Sequence, residues 1–132
     1  MLRQVGLITL LAQIGAIEKL TRIVETDPAS GLVTLRIVDD FGELRDRNHG
    51  LANGGAARET WTIDPNDPLS ARGETHWTKT LSRGDWSVRT ETFTSMRSDA
   101  KSFFLGGRIE AYEGAELVFE RDFEEEIPRD FI

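Results

Sequence analysis

From residue 20 onward, outside the span from Gly42 to Ala57, the apolar residues of this chain recur mainly at every second position, an alternation that admits little besides antiparallel β-sheet. In the last such run Leu117, Phe119 and Phe123 share one face with Arg121. Val118 stands on the other face among Glu116, Glu120, Asp122 and Glu124. Before it, Phe103, Leu105, Ile109 and Ala111 oppose Arg108 and Glu110. Trp86 and Val88 share a face with Thr90 and Thr92, and Trp77 and Leu81 share one with Thr75 and Lys79. The spacing predicts seven strands, over 20–26, 32–39, 58–63, 74–82, 86–94, 103–112 and 116–126. Turn chemistry separates them: Asp27-Pro28-Ala29-Ser30-Gly31, Arg83-Gly84-Asp85, the polar stretch around Ser98 to Lys101, and Glu113-Gly114-Ala115. Pro65 and Pro68 bar a central strand between Asp64 and Pro68, and Pro128 stops the last one.

Short connections place sequence neighbours side by side, so the expected architecture is all-β, an antiparallel up-and-down meander. A meander of about seven strands twists and curls into an open or closed barrel; a jelly-roll-like β-sandwich is the alternative. One domain spans 1–132, with an apolar lead segment over 1–17 and the meander over 18–132. In the lead segment Leu7, Leu10, Leu11 and Ile14 fall at helical spacing, which predicts a short helix packed on the sheet. Gly42 to Ala57 is glycine-rich and lacks a period, so a mobile loop is expected there. Gly106 and Gly107 interrupt a strong strand and predict a bulge or bend.

Charge narrows the function. The 23 acidic residues against 16 basic ones give a net charge of -7, which repels phosphate backbones and argues against nucleic acid as a partner. From Glu110 to the C-terminus nine acids face only Arg121 and Arg129, which reads as a solvated strand face and a polar tail. The lead segment is too short for a bilayer, which takes roughly 20 apolar residues, and no small-x-small cleavage site follows it. A cytoplasmic protein with no membrane span is the expectation. Without cysteine the chain has no disulfide, thiolate zinc site or thiol nucleophile.

Catalytic and metal chemistry find little footing. No G-x-S-x-G elbow occurs, and His49 and His76 lack a serine and carboxylate at recognisable spacing, so no catalytic residue is assigned. Asp39-Asp40 and Asp64-Pro65-Asn66-Asp67 lack the alternate spacing and terminal glutamate of a calcium loop; they read as Asx turns, and neither metal nor cofactor is expected. Arg83-Gly84-Asp85 reads as turn chemistry rather than an adhesion tripeptide. The remaining candidates lie on the apolar face. Lys79 and Arg121 sit there among hydrophobic neighbours, either snorkelling from the sheet ends or lining a cavity or partner surface. Together with Trp61, Trp77 and Trp86 they form the candidate set for an apolar or anionic amphiphilic ligand. On the opposite face Arg89, Glu91, Arg108, Glu110, Glu120 and Asp122 are placed for cross-strand ion pairs.

An ordered series of segments carries a family resemblance. It runs through Asp39-Asp40-Phe41-Gly42, His49-Gly50-Leu51, Arg58-Glu59-Thr60-Trp61-Thr62-Ile63 and Asp67-Pro68-Leu69-Ser70-Ala71-Arg72-Gly73. Leu81 to Thr92, Ala111-Tyr112-Glu113-Gly114 and Val118 to Asp130, ending Ile127-Pro128-Arg129-Asp130, complete it. In this order the segments resemble the C-terminal tail of CocE/NonD-type serine hydrolases, the group of cocaine esterase and the X-Pro dipeptidyl-peptidases. The resemblance extends from Thr21 to the C-terminus. It implies a β-rich region whose catalytic serine, acid and histidine lie in a separate upstream domain, with none of those positions on this chain. The implied role is a non-catalytic accessory or interaction module, partnered by a hydrolase domain or a second copy of itself. A stand-alone small-ligand-binding β-barrel is the alternative function, and a homo-oligomer formed through a strand edge or the lead helix is a third possibility.

Overall fold

Alternating side chains and two-residue turns fold the chain into one sheet in a computed structural model that describes residues 19–130. Its seven strands are β1 (Lys19–Thr26), β2 (Val33–Arg45), β3 (Ala52–Asp64), β4 (Asp67–Arg83), β5 (Trp86–Ser98), β6 (Ser102–Glu113) and β7 (Glu116–Pro128). They lie in the order β1-β2-β3-β4-β5-β6-β7, every neighbour antiparallel. The meander is therefore as expected, and the sheet is open: β1 pairs only with β2, and β7 only with β6. One sheet stands where the sandwich alternative required two. The expected helix over 1–17 falls outside the described residues.

The turns follow the predicted chemistry. Arg83 pairs with Trp86 across Gly84-Asp85, and Gly84 takes φ +59°, a left-handed value that fits the twist of a two-residue hairpin. Longer turns open on an aspartate that caps its own loop. Asp27 accepts from the Ala29 amide and the Ser30 hydroxyl, Asp46 from the amides of Asn48 and His49, and Asp99 from those of Lys101 and Ser102. Asp64 and Asp40 do the same for the amides of Asn66 and Gly42, so these acids are Asx-turn residues.

Three expectations change. The span from Gly42 to Ala57 is mostly strand; only Asp46 to Leu51 forms a turn, closed by Asp46 amide to Leu51 carbonyl at 2.8 Å. Small residues lie in β3 because neighbours crowd it: a Cβ on Gly54 would stand 2.7 Å from the Thr80 hydroxyl and 3.2 Å from the Gly42 carbonyl. β4 begins at Asp67, so Pro68 lies inside a strand, near its end where the lost amide matters least. Gly106 and Gly107 pair without a register shift, against Ser95 and Thr94 on one side and Glu124 and Phe123 on the other. Shifts occur instead at Asp40/Gly42, Thr62/Asp64 and Ala111/Tyr112. The last sets Leu117 opposite Tyr112, off the row that holds Phe119 and Ala111.

A single layer leaves almost nothing enclosed. Among the described residues Ala52, Ala57 and Ser102 are the buried side chains, and no large one is fully buried.

Candidate interaction face

Register assigns each residue to a face, because paired residues across an antiparallel ladder point the same way. One row reads Leu20, Asp39, Ala57, Trp77, Thr92, Ile109 and Arg121 across the seven strands. Another on the same face reads Val24, Leu35, Trp61, Gly73, Met96, Leu105 and Glu125. This face also carries Ile37, Phe119, Phe123 and Ile127, and it lies open: Met96 is 45% exposed and Phe123 46%. The row between those two is mixed, with Arg22, Glu59, Thr75 and Thr94 among its members, so the apolar side chains form a band through Trp61 and Met96. Scattered exposed apolar residues are ordinary, but a band of this extent marks an interaction surface.

All five candidate binding residues lie on this face. Trp61 donates its indole N–H to Glu59 at 3.0 Å, and its benzo ring lies over Gly73, where a Cβ would fall 2.4 Å from Cζ3. Trp77 stacks on Phe41 with ring centroids 5.8 Å apart, and the Lys79 ammonium stands 5.3 Å from the same Phe41 ring. The Arg121 guanidinium lies 4.7 Å from the ring of Phe123. Trp86 is exposed beside the β4–β5 turn. These groups do not converge. Lys79 and Arg121 are three strands apart, roughly 14 Å at the usual strand spacing, and Trp61 and Trp86 lie toward opposite ends of the face. One depression of about 380 Å³ forms against Trp61, between Leu35, Ile63, Met96 and Phe103. Of its lining only Trp61 was singled out in advance; the rest meet there through cross-strand register, which alternation within one strand does not reveal.

The opposite face is polar and carries two bonded clusters. Arg108 donates to Glu110 at 2.7 Å and Glu120 at 2.6 Å and reaches Asp122 at 3.3 Å. The Tyr112 hydroxyl also donates to Glu110, and with Arg108 it holds that carboxyl below the ordinary glutamate range. Glu91 is bonded by His76 Nε2 at 2.6 Å and by the Thr78 hydroxyl at 2.6 Å, with Arg89 at 3.1 Å. Of the predicted cross-strand pairs, Arg108 with Glu120 and Asp122 is formed, whereas Arg89–Glu91 and Arg108–Glu110 lie within single strands. A concavity of about 500 Å³ lies between Arg58, His76, Phe93, Arg108 and Asp122. His76 spends its Nε2 on Glu91 and stacks on Phe93 at 4.3 Å; among the described residues no hydroxyl bonds to either histidine ring. A carboxylate orients an imidazole there, but no nucleophile is poised beside it.

The two faces also differ in how their charges are met. Every ion pair among the described residues lies on the polar face or in the β2–β3 turn. On the apolar face Arg22, Asp39, Glu59, Lys79, Arg121 and Glu125 take part in none, and neither do Arg58, Arg72 and Arg97 of the polar face. No cluster of three or more histidines or acids among the described residues is arranged to hold a metal ion. No described helix is long and apolar enough to cross a membrane, which says nothing of strands. No family model, curated protein or solved structure matches the chain.

Proposed function

We propose that this chain is a non-catalytic interaction module that acts by burying its apolar sheet face against another folded surface. The observation that carries it is the open band of aromatic and aliphatic side chains that runs across the strands from Val24 and Leu35 through Trp61 and Met96 to Leu105. A lone sheet of this kind gains its hydrogen bonds but leaves its apolar side in water, and domains ordinarily cover such a side with a second layer. The resemblance to the C-terminal region of CocE/NonD-type hydrolases supports the same role, since that region accompanies a catalytic domain without supplying its triad. The ligand-barrel alternative is weaker because β1 and β7 do not pair and the sheet encloses no lumen.

Acrylamide quenching of Trp61, Trp77 and Trp86 tests the role. The three indoles should be shielded in the assembled protein and unshielded in a Leu35→Glu/Leu105→Glu double variant that still shows a β-sheet circular dichroism spectrum. Indoles freely quenched at every protein concentration, and also with a tail-deleted CocE/NonD-type hydrolase added, would refute docking. Acyl-ester hydrolysis by the purified chain, abolished by one substitution in it, would refute the non-catalytic assignment.

A further inference from the structure

Resting on the docking role just proposed, we infer that the surface covering the apolar face is a second copy of this chain, stacked face to face with its strands aligned.

Size comes first. Seven strands about 4.8 Å apart and roughly 40 Å long present a face of roughly 1,300 Å². Two such faces bury roughly 2,700 Å², the range of obligate homodimers.

Charge comes second and fixes the arrangement. Place a two-fold axis parallel to the strands above β4. Rotation then lays β1 of one copy over β7 of the other and keeps each residue at its own level along the strand. The row that runs from Leu20 to Arg121 meets itself reversed, so Asp39 of one copy comes to lie over Ile109 of the other, one strand from Arg121. At the next level Arg22 comes over Phe123, two residues from Glu125. Opposite signs thus approach at both margins of the sandwich, where charges stay near water and attraction is not outweighed by desolvation. These four residues are among the apolar-face charges that have no ion-pair partner within the described chain. The alternative two-fold axis, across the strands, lays β1 over β1 and β7 over β7 and keeps Asp39 remote from Arg121. At the centre Lys79 lies near its own mate, but it leans toward Phe41 on the β2 side, off the axis.

The full chain, without cysteine, suits a direct test by sedimentation and charge exchange. The expected species has twice the 14.8 kDa chain mass, with shielded tryptophans. Asp39→Lys and Arg121→Glu should each weaken the dimer, raising Kd roughly five-fold, as for a rim ion pair. The double exchange should restore Kd to within about two-fold. An Asp39→Cys/Arg121→Cys variant should join two chains through a bis-maleimide linker about 10 Å long; within one chain the two positions are five strands, roughly 24 Å, apart. Circular dichroism confirms that each variant folds. A dimer with no rescue and no cross-link overturns the inference, because the faces then meet otherwise. A monomer with indoles open to acrylamide overturns the second copy but leaves docking to another protein intact. A monomer with shielded indoles overturns both.

Discussion

The seat of Trp61 on Gly73 turns a local clash into a measurable coupling. Gly73 is buried only because the indole lies over it, and a Cβ there would fall 2.4 Å and 2.6 Å from two atoms of the benzo ring. Trp61 is already 39% exposed, so in a Gly73→Ala variant the ring swings outward rather than straining the strand. Lifting the ring edge returns on the order of 40 Å² to water, worth about 1 kcal/mol at about 25 cal/mol/Å². Alanine also gains about 0.5–1 kcal/mol over glycine in a strand by narrowing the unfolded ensemble. In the native background these two effects nearly cancel. In a Trp61→Ala background only the gain remains, so Gly73→Ala should stabilise that protein by about 0.5–1 kcal/mol. The double-mutant coupling is therefore about 1 kcal/mol, within the range for side chains in contact. Urea unfolding of the four proteins at one fixed concentration, followed by far-ultraviolet circular dichroism, reads it; fixing the concentration removes any mass-action term from assembly. Equal stabilisation by Gly73→Ala in both backgrounds, within about 0.3 kcal/mol, would refute the seat.

Three further outcomes follow from the turns and the polar face. Hydrogen bonds from Ser30 and Ala29, from Asn48 and His49, and from Lys101 and Ser102 hold Asp27, Asp46 and Asp99 below their ordinary value of 3.8. Their stabilisation is therefore complete above pH 3.8 and lost as pH falls through the lowered values, so Tm should drop below about pH 4. Asp99→Asn should lower Tm at pH 7 and flatten that acid limb in a thermal scan. Gly84 has φ +59° and open space around its Cβ position, so Gly84→Ala meets backbone strain alone, about 1 kcal/mol by urea unfolding, with Gly84→Asn costing less. Arg108→Ala leaves Glu110, Glu120 and Asp122 facing one another, so its Tm should fall at low salt and recover in part at 0.5 M salt, read by calorimetry.

Strand count, antiparallel order and turn positions were legible because each depends on neighbours in sequence. Alternation named Trp77, Leu81 and Ile109 as one face, and Arg83-Gly84-Asp85 gave its hairpin by turn chemistry alone. Strand length was less legible. Gly54 and Gly55 look like loop residues until the crowding by Thr80 and Lys79 from β4 is known, and that crowding is non-local. The glycine pair in β6 was misjudged for the same reason: Ser95 approaches Gly106 so closely that a Cβ would stand 2.7 Å from its hydroxyl. Among the candidate residues, membership of the apolar face was readable and convergence was not. Lys79 and Arg121 share a face by parity, but their separation depends on strand order, which places them three ladders apart.

The contrast between the two faces bears on what the second layer must be. On the polar face the arginines of the Arg89 and Arg108 clusters meet acids of their own chain, although Arg58, Arg72 and Arg97 of the same face take part in no ion pair among the described residues. The apolar face has exposed rings and charges of both signs that no described acid or base answers, with Arg121 resting on Phe123. A covering surface must therefore be apolar over the band around Trp61, leave Lys79 on its Phe41 ring near the centre, present acids toward Arg22 and Arg121, and present bases toward Asp39 and Glu125. A generic hydrophobic surface meets only the first requirement. This sheet, turned over along its strands, brings Asp39 toward Arg121 at one level and Arg22 to within two residues of Glu125, so its own margins carry the complementary signs.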